Sequence, residues 1–358
     1  MDDTAILSPT PPAAAGTRSP LSCRPRTVAA WLLACCALVF AMVVLGGVTR
    51  LTGSGLSMVD WDPIMGVVPP LSEADWRQTF DRYKQFPEYR LKNRGITLDQ
   101  FKSIFWFEYA HRLLGRLIGL VFLLPFLYFL VRGHFSRPMV GPLVSLFILG
   151  GLQGLLGWYM VQSGLVDRPH VSPYRLTAHL GMALLIYAYM LWLALSLLYP
   201  QRDNPDARAG RVVAVLTAGV AITALSGGFV AGLKAGLAYN TFPLMGDRWL
   251  PPDYWALVPG WRNLFEHIPA VQFNHRLLAE LLLAGTLGVW WWARRRTLPP
   301  RARLGLNLLA AAVPVQAGLG IATLLLFVPV PLAAAHQAGM LVVFTLALFT
   351  AHALRRAT

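Results

Sequence analysis

Charge is scarce in this 358-residue chain: 13% of its residues are Asp, Glu, Lys or Arg, against 56% hydrophobic, and the mean hydropathy is +0.51. That balance excludes a disordered chain, which needs the reverse composition, and it exceeds what a soluble domain can bury. Cysteine is scarcer still. Cys23 stands apart, and Cys35 and Cys36 are neighbours inside the first apolar run. No two cysteines flank a loop and no CxxC motif occurs, which excludes a disulfide scaffold and a cysteine-based metal or redox motif. Acids are outnumbered, 17 to 31 basic residues, for a net charge of +14.

What the sequence does have is long apolar runs. They fall at about 28–48, 104–131, 139–163, 174–198, 211–233, 270–293, 304–328 and 331–353, each near the roughly 20 residues that cross a bilayer. Eight crossings sort the connecting segments onto two sides. One side receives Arg18, Arg24 and Arg26, then Arg132 and Arg137, then Arg202, Arg208 and Arg211. It also receives Arg294, Arg295, Arg296, Arg301, Arg303, Arg355 and Arg356, opposed only by Asp2, Asp3, Asp203 and Asp206. The positive-inside rule makes this side cytoplasmic and puts both termini there. Trp290, Trp291 and Trp292, just before Arg294, fit an aromatic belt at that face. The basic excess is therefore a topology signal, and nucleic acid is not expected as a partner; the lipid bilayer is. Residues 1–27, rich in Pro, Ala, Ser and Thr, read as a disordered cytoplasmic tail. The first apolar run is too long for a signal-peptide core, so the expected address is a bacterial inner membrane.

The second half of the chain repeats the first. Gly46-Gly47 corresponds to Gly227-Gly228, and Pro63-Ile64-Met65-Gly66 to Pro243-Leu244-Met245-Gly246. His111-Arg112-Leu113-Leu114-Gly115 matches His275-Arg276-Leu277-Leu278-Ala279, and Gln153-Gly154-Leu155-Leu156-Gly157 matches Gln316-Ala317-Gly318-Leu319-Gly320. Ala178-His179-Leu180-Gly181-Met182 matches Ala335-His336-Gln337-Ala338-Gly339-Met340 with one residue inserted. Five matches in order indicate a duplication. The fold expected is an all-α integral membrane protein of eight transmembrane helices. These form two tandem four-helix bundles, 28–200 and 201–358, related by a pseudo-two-fold axis along the membrane normal, because an even number of spans inserts both halves the same way round. The glycines are read as points of close helix approach rather than ligand sites. In the long outer loop 49–103, Ser72-Glu73-Ala74-Asp75 and Thr97-Leu98-Asp99-Gln100 have capping-box form; the first should start a short surface helix and the second should extend span 2 outward.

Four histidines hold repeated positions: His111, His179, His275 and His336, two per half. Counting from the inner boundary at 1.5 Å per residue puts them about 23 to 32 Å away, near the outer end of the hydrocarbon region. One isolated histidine could simply bond a neighbouring carbonyl. Two imidazoles facing each other in each half favour axial haem ligation instead, while zinc would need three or four ligands. His134, His170, His267 and His352 fall outside the repeat or in loops and are expected to be solvated.

Arg112 and Arg276 directly follow two of these histidines, and two readings stay open for them: pairing with a haem propionate, or snorkelling to headgroups. Arg116 is open between packing and the propionate. Glu108 lies three residues before His111, on the same helix face, while its counterpart before His275 is the neutral Gln272. A carboxyl in an apolar span is costly unless paired or functional, so Glu108 is a site candidate and the two halves have diverged. Glu280 is expected to make a helix-interface hydrogen bond.

These residues resemble the haem A synthase family over nearly the whole chain after the tail. The stretches that carry the likeness are Gly46-Gly47-Val48-Thr49-Arg50-Leu51-Thr52-Gly53-Ser54-Gly55-Leu56-Ser57 and Glu108-Tyr109-Ala110-His111-Arg112. Asn240-Thr241-Phe242-Pro243-Leu244-Met245-Gly246 and His275-Arg276 with His336 complete it. The resemblance implies oxidation of the C8 methyl of haem O to a formyl group by successive hydroxylations. It implies haem b between His275 and His336, and haem O as substrate near His111 and His179 with Glu108 at the reacting centre. It also implies haem O supplied by a haem O synthase, an electron-transfer partner and cytochrome oxidase assembly factors. Some members carry a cysteine pair in an outer loop; this chain lacks it and is similar to the mitochondrial and alphaproteobacterial branch. A di-haem b electron carrier reacting with quinone, with Glu108 taking the proton, is the alternative, and a colourless transporter built from parallel repeats is a third. A homo-oligomer stays open.

Overall fold

The computed structural model describes residues 25–59, 65–166, 169–200 and 206–355. The tail to residue 24 with Cys23, the Pro63-Ile64 pair and the basic residues Arg202 and Arg356 lie outside them. The described residues form α1 (Pro25–Leu51), α2 (Glu73–Tyr83), α3 (Pro87–Leu91), α4 (Leu98–Val131) and α5 (Arg137–Leu165). They continue with α6 (Pro173–Leu198), α7 (Ala207–Gly232), α8 (Ile268–Ala293), α9 (Pro300–Leu325) and α10 (Val330–Ala353). Among the described residues there is no strand.

This is an all-α integral membrane protein. Among the described residues, seven helices are long and apolar enough to cross a membrane. The other long helix, α8, has 26 residues but carries Arg276 and Glu280 in its first half, which lowers its apolar character. Helix starts precede the expected ones: α1 begins at Pro25 and α7 at Ala207, because the polar first turn of a helix does not register in an apolar count.

The helices run up and down. At one end, Arg296 bonds Asp206 at 2.6 Å, Arg355 donates to the Tyr199 carbonyl, and Arg301 stacks on Tyr199. The C-terminal ends of α6, α8 and α10 therefore meet the start of α7 and α9, and the basic residues gather there. At the other end, Arg50 donates to the Ala231 carbonyl and Asn240 to the Leu324 carbonyl. Between them, α1 packs on α4 and α6 and α7 packs on α8 and α10, with α6 against α7 and α1 against α10 joining the two groups. The core between them is apolar, built on Leu32, Cys35, Val39, Tyr187, Met190 and Phe344. Both Cys35 and Cys36 are buried free thiols.

Both capping boxes form. Ser72 accepts from the Asp75 amide while the Asp75 side chain accepts from the Ser72 amide, and Thr97 and Gln100 do the same. The first starts α2. The second gives α4 34 residues, against 26 in α6, α7, α8 and α9, about 12 Å of extra helix at 1.5 Å per residue. Onto that outward extension α2 packs an aromatic cluster of Trp76, Phe80, Tyr83, Phe101, Phe105 and Tyr109.

Candidate functional site

His179, His275 and His336 lie six or seven residues into their helices, and His111 lies deeper into α4 because that helix starts further out. All four are thus near the end of the bundle opposite Arg296, Arg301 and Arg355. Each imidazole rests on a glycine of the preceding long helix. A Cβ added at Gly46 would come within 3.0 Å of His111 Nε2, and one at Gly157 within 3.0 Å of His179 Cε1. One at Gly227 would come within 3.2 Å of His275 Cε1, and one at Gly320 within 2.8 Å of His336 Cε1. His111 and His179 lie within electrostatic range of each other, and so do His275 and His336.

These contacts amend the expectation for the glycines. Gly228 against Thr177 and Gly232 against Pro173 do bring helices close, but Gly46, Gly157, Gly227 and Gly320 clear space for a ring instead. Periodicity cannot tell these uses apart, since both need only the absence of a side chain.

The residues that bond to the histidines are only partly visible in the repeat. Gln153 Nε2 donates to the His179 carbonyl at 3.1 Å and Gln316 Nε2 to the His336 carbonyl at 2.8 Å. The Nδ1 atoms of His179 and His336 are buried with no hydrogen-bond partner among the described residues. Sequence reasoning missed Ser226. Its Oγ donates to the Thr223 carbonyl at 2.7 Å and lies 2.7 Å from His275 Nδ1. With its one proton so used, the serine oxygen accepts from Nδ1–H, which leaves His275 Nε2 with a lone pair. The matching position in the first half is Leu45, 181 residues earlier.

Glu108 is buried, and its carboxylate faces the outer loop. Oε2 accepts from Ser57 Oγ and from the Met58 amide, each at 2.8 Å, and Oε1 accepts from Arg112 Nη2 at 2.7 Å. Arg112 also donates to the Met58 carbonyl at 2.6 Å. In the second half Gln272 donates to the Tyr239 carbonyl, and Arg276 donates to the carbonyls of Tyr239, Thr241 and Leu244. Both arginines therefore clamp the backbone returning from the preceding helix, and neither needs to snorkel, because terminal guanidinium nitrogens of each bond carbonyls inside the protein. Arg276 Nε is buried without a partner among the described residues.

A second buried carboxyl lies in the outer loop. Glu88 is 2% exposed, accepts from Tyr83 Oη at 3.2 Å and pairs with Lys92 Nζ at 3.4 Å. Burial pushes its carboxyl above the usual range, against the pull of Lys92. Lys92 Nζ sits against Gly53, in the same turn that carries Ser57.

Two expectations are corrected. Glu280 is exposed and makes no hydrogen bond among the described residues, because α8 turns it away from its helix neighbours. His352 is buried rather than solvated: its ring meets Ser196 Oγ at 3.2 Å and packs edge-on against Trp192. His134 and His267 are half-buried, which leaves His170 alone as an exposed ring among these four.

The fold and the site define a helical integral membrane protein whose helix-borne histidines come in two pairs seated on backbone notches. Comparison with known proteins gives the family. The COX15-CtaA family, described as "Cytochrome oxidase assembly protein", matches residues 29–348. "Heme A synthase" of Nitrosospira multiformis is 55% identical over 336 residues, covering 92% of this chain and 94% of that protein. "Heme A synthase" of Rhodospirillum centenum is 51% identical, with 96% and 92% covered, and "Heme A synthase COX15" of Homo sapiens is 49% identical, with 92% and 83% covered. The chain belongs to the COX15-CtaA family.

Proposed function

We infer that this chain makes haem A from haem O, oxidising the C8 methyl group to a formyl group by successive hydroxylations. The observation that carries this reading is one contact made four times: an imidazole against a bare backbone notch on the preceding long helix, twice in each half. A flat iron macrocycle needs a ligand on each face and space free of side chains beside it. Paired imidazoles, the orphaned Nδ1 atoms and the four glycines fit that need.

In this reading α8 also spans the membrane, and eight spans form two four-helix halves, 28–200 and 201–358, about a pseudo-two-fold axis along the membrane normal. The support is that α1 packs on α4 and α6 as α7 packs on α8 and α10. The basic end is cytoplasmic with both termini, and the histidines lie towards the periplasm of a bacterial inner membrane. Haem O arrives from a haem O synthase and the product passes to cytochrome oxidase assembly.

His275 and His336 hold haem b, with the lone pair on His275 Nε2 kept available by Ser226. Haem b, when bound, supplies one-electron exchange with an external redox partner. His111 and His179 receive the substrate haem. Arg276, with Nε unused among the described residues, is assigned to a propionate, and Arg112 to the equivalent group in the first half. The Glu108 carboxylate, fixed by Ser57, Met58 and Arg112, is positioned to orient water or to offset positive charge as the methyl C–H bond breaks. Gln272 at the matched position can hold its loop but carries no charge.

Extraction and chromatography of haems from cells expressing Glu108→Gln tests this. Haem A should vanish while the low-spin b-type spectrum remains, and His336→Ala should erase that spectrum. Normal haem A output from Glu108→Gln would remove Glu108 from the reaction.

A further inference from the structure

Far from the histidines, at the basic end of the bundle, two neighbouring hollows open beside α7 and α8. One, of about 540 Å³, is lined by Val212, Val215, Leu216, Gly285 and Val289 together with Arg208 and Arg211. The other, of about 800 Å³, is lined by Trp291, Trp292, Arg295, Arg296, Thr297 and Asp206. The helix surface is open at Gly285, where an added Cβ would meet nothing within 4 Å. Its wall is apolar and bare, with Val215 73% exposed.

Charge decides what fits. Four guanidinium groups line the two hollows against one carboxylate, Asp206, and that carboxylate is already bonded by Arg296 at 2.6 Å. Arg296 in turn lies 3.9 Å from the Trp292 ring centroid and Arg208 5.9 Å from it, so both guanidinium groups gather at this indole. Arg208, Arg211 and Arg295 are exposed. A soluble anion would satisfy these arginines but leave the valine-lined groove uncovered. A neutral lipid would fill the groove but leave the arginines uncompensated. Basic pockets between transmembrane helices recognise acidic headgroups in this way, with tryptophan at headgroup depth.

We propose that the α7–α8 face at the basic end is a binding site for an anionic phospholipid: the phosphate lies between Arg208, Arg211 and Arg295, and an acyl chain runs down the groove over Gly285. The site is separate from the histidines and does not depend on their role.

The test uses the purified full-length protein in nanodiscs, comparing phosphatidylglycerol with phosphatidylcholine by native mass spectrometry and thermal stability. Phosphatidylglycerol should be retained preferentially and should raise the unfolding temperature. The double variant Arg208→Gln/Arg211→Gln should weaken that retention roughly 30-fold, about fivefold for each arginine. Gly285→Leu, which fills the groove and keeps every charge, should weaken it as well. Excess inorganic phosphate should not displace the lipid. Equal retention of both lipids, an unchanged preference in the double variant or in Gly285→Leu, or displacement by inorganic phosphate would each overturn the proposal. If the double variant does not fold, the wild-type lipid comparison and Gly285→Leu still decide.

Discussion

Arg50 Nη1, in the last turn of α1, donates at 2.8 Å to the carbonyl of Ala231, in the last turn of α7 and 181 residues further on. The same offset separates Gly46 from Gly227, so the residue reaching across and the residue reached occupy one position of the repeat. Only one of the two copies carries a guanidinium. It meets a last-turn carbonyl that also accepts the Lys234 amide at 3.2 Å, at the helix end where a cation suits the helix dipole.

Replacing Arg50 by Ala should loosen the two halves. A hydrogen bond to a charged group contributes about 1.5–3 kcal/mol, and Arg50→Ala should lose an amount of that order in thermal unfolding. An unchanged melting temperature would mean that the remaining helix contacts hold the halves alone.

Gly320→Ala puts a carbon within 2.8 Å of His336 Cε1, whereas a Cβ at Gly318, two residues away on the same helix, meets nothing within 4 Å. The first substitution should displace the imidazole and lower haem content several-fold, and the second should leave it as it is. The ratio of haem absorbance to protein in the two purified variants measures this directly.

Ser226→Ala removes the acceptor from His275 Nδ1. A less basic imidazole stabilises the ferric state less, so the midpoint potential of haem bound in the second half should rise. One hydrogen bond of about 1 kcal/mol corresponds to roughly 40 mV for one electron. Redox titration of Ser226→Ala against wild type reads the shift, and no shift would mean that the serine does not tune the ligand.

Glu88 carries a pKa raised by burial above its ordinary 4.5. The native state therefore binds this proton more tightly than the unfolded chain. The contribution to stability is full below about pH 4.5 and is lost as pH rises through the native pKa. Glu88→Gln should flatten that part of the dependence, measured as melting temperature from pH 4 to 8. Parallel curves for variant and wild type would count against it.

What the sequence made legible was whatever a local rule dictates. Ser72 and Thr97 reach their own third-residue amides, so both helix starts could be read without knowing the fold. The end of α9 could not. The apolar run continues to residue 328, but the helix stops at Leu325 because Phe327 and Val328 take left-handed conformations, φ 60° and 58°, with no glycine to announce them. Side-chain environments across helices were also hidden. Nothing near His352 in sequence foretells Ser196 and Trp192 on α6, and the role of Ser226 exists only once α7 and α8 pack. Glu108 stood out because charge in an apolar run is visible at once, yet its donor Ser57 lies 51 residues away.

The four glycine notches bear on how the two copies were free to drift apart. Glu108 is an acid where Gln272 is an amide, Leu45 stands where Ser226 stands in the other copy, and the outer loops differ in length. At Gly46, Gly157, Gly227 and Gly320 even a single methyl group would strike an imidazole. Differences between the two repeats therefore fall in the surroundings of each seat, while the glycine and the histidine that make the seat are the same in both.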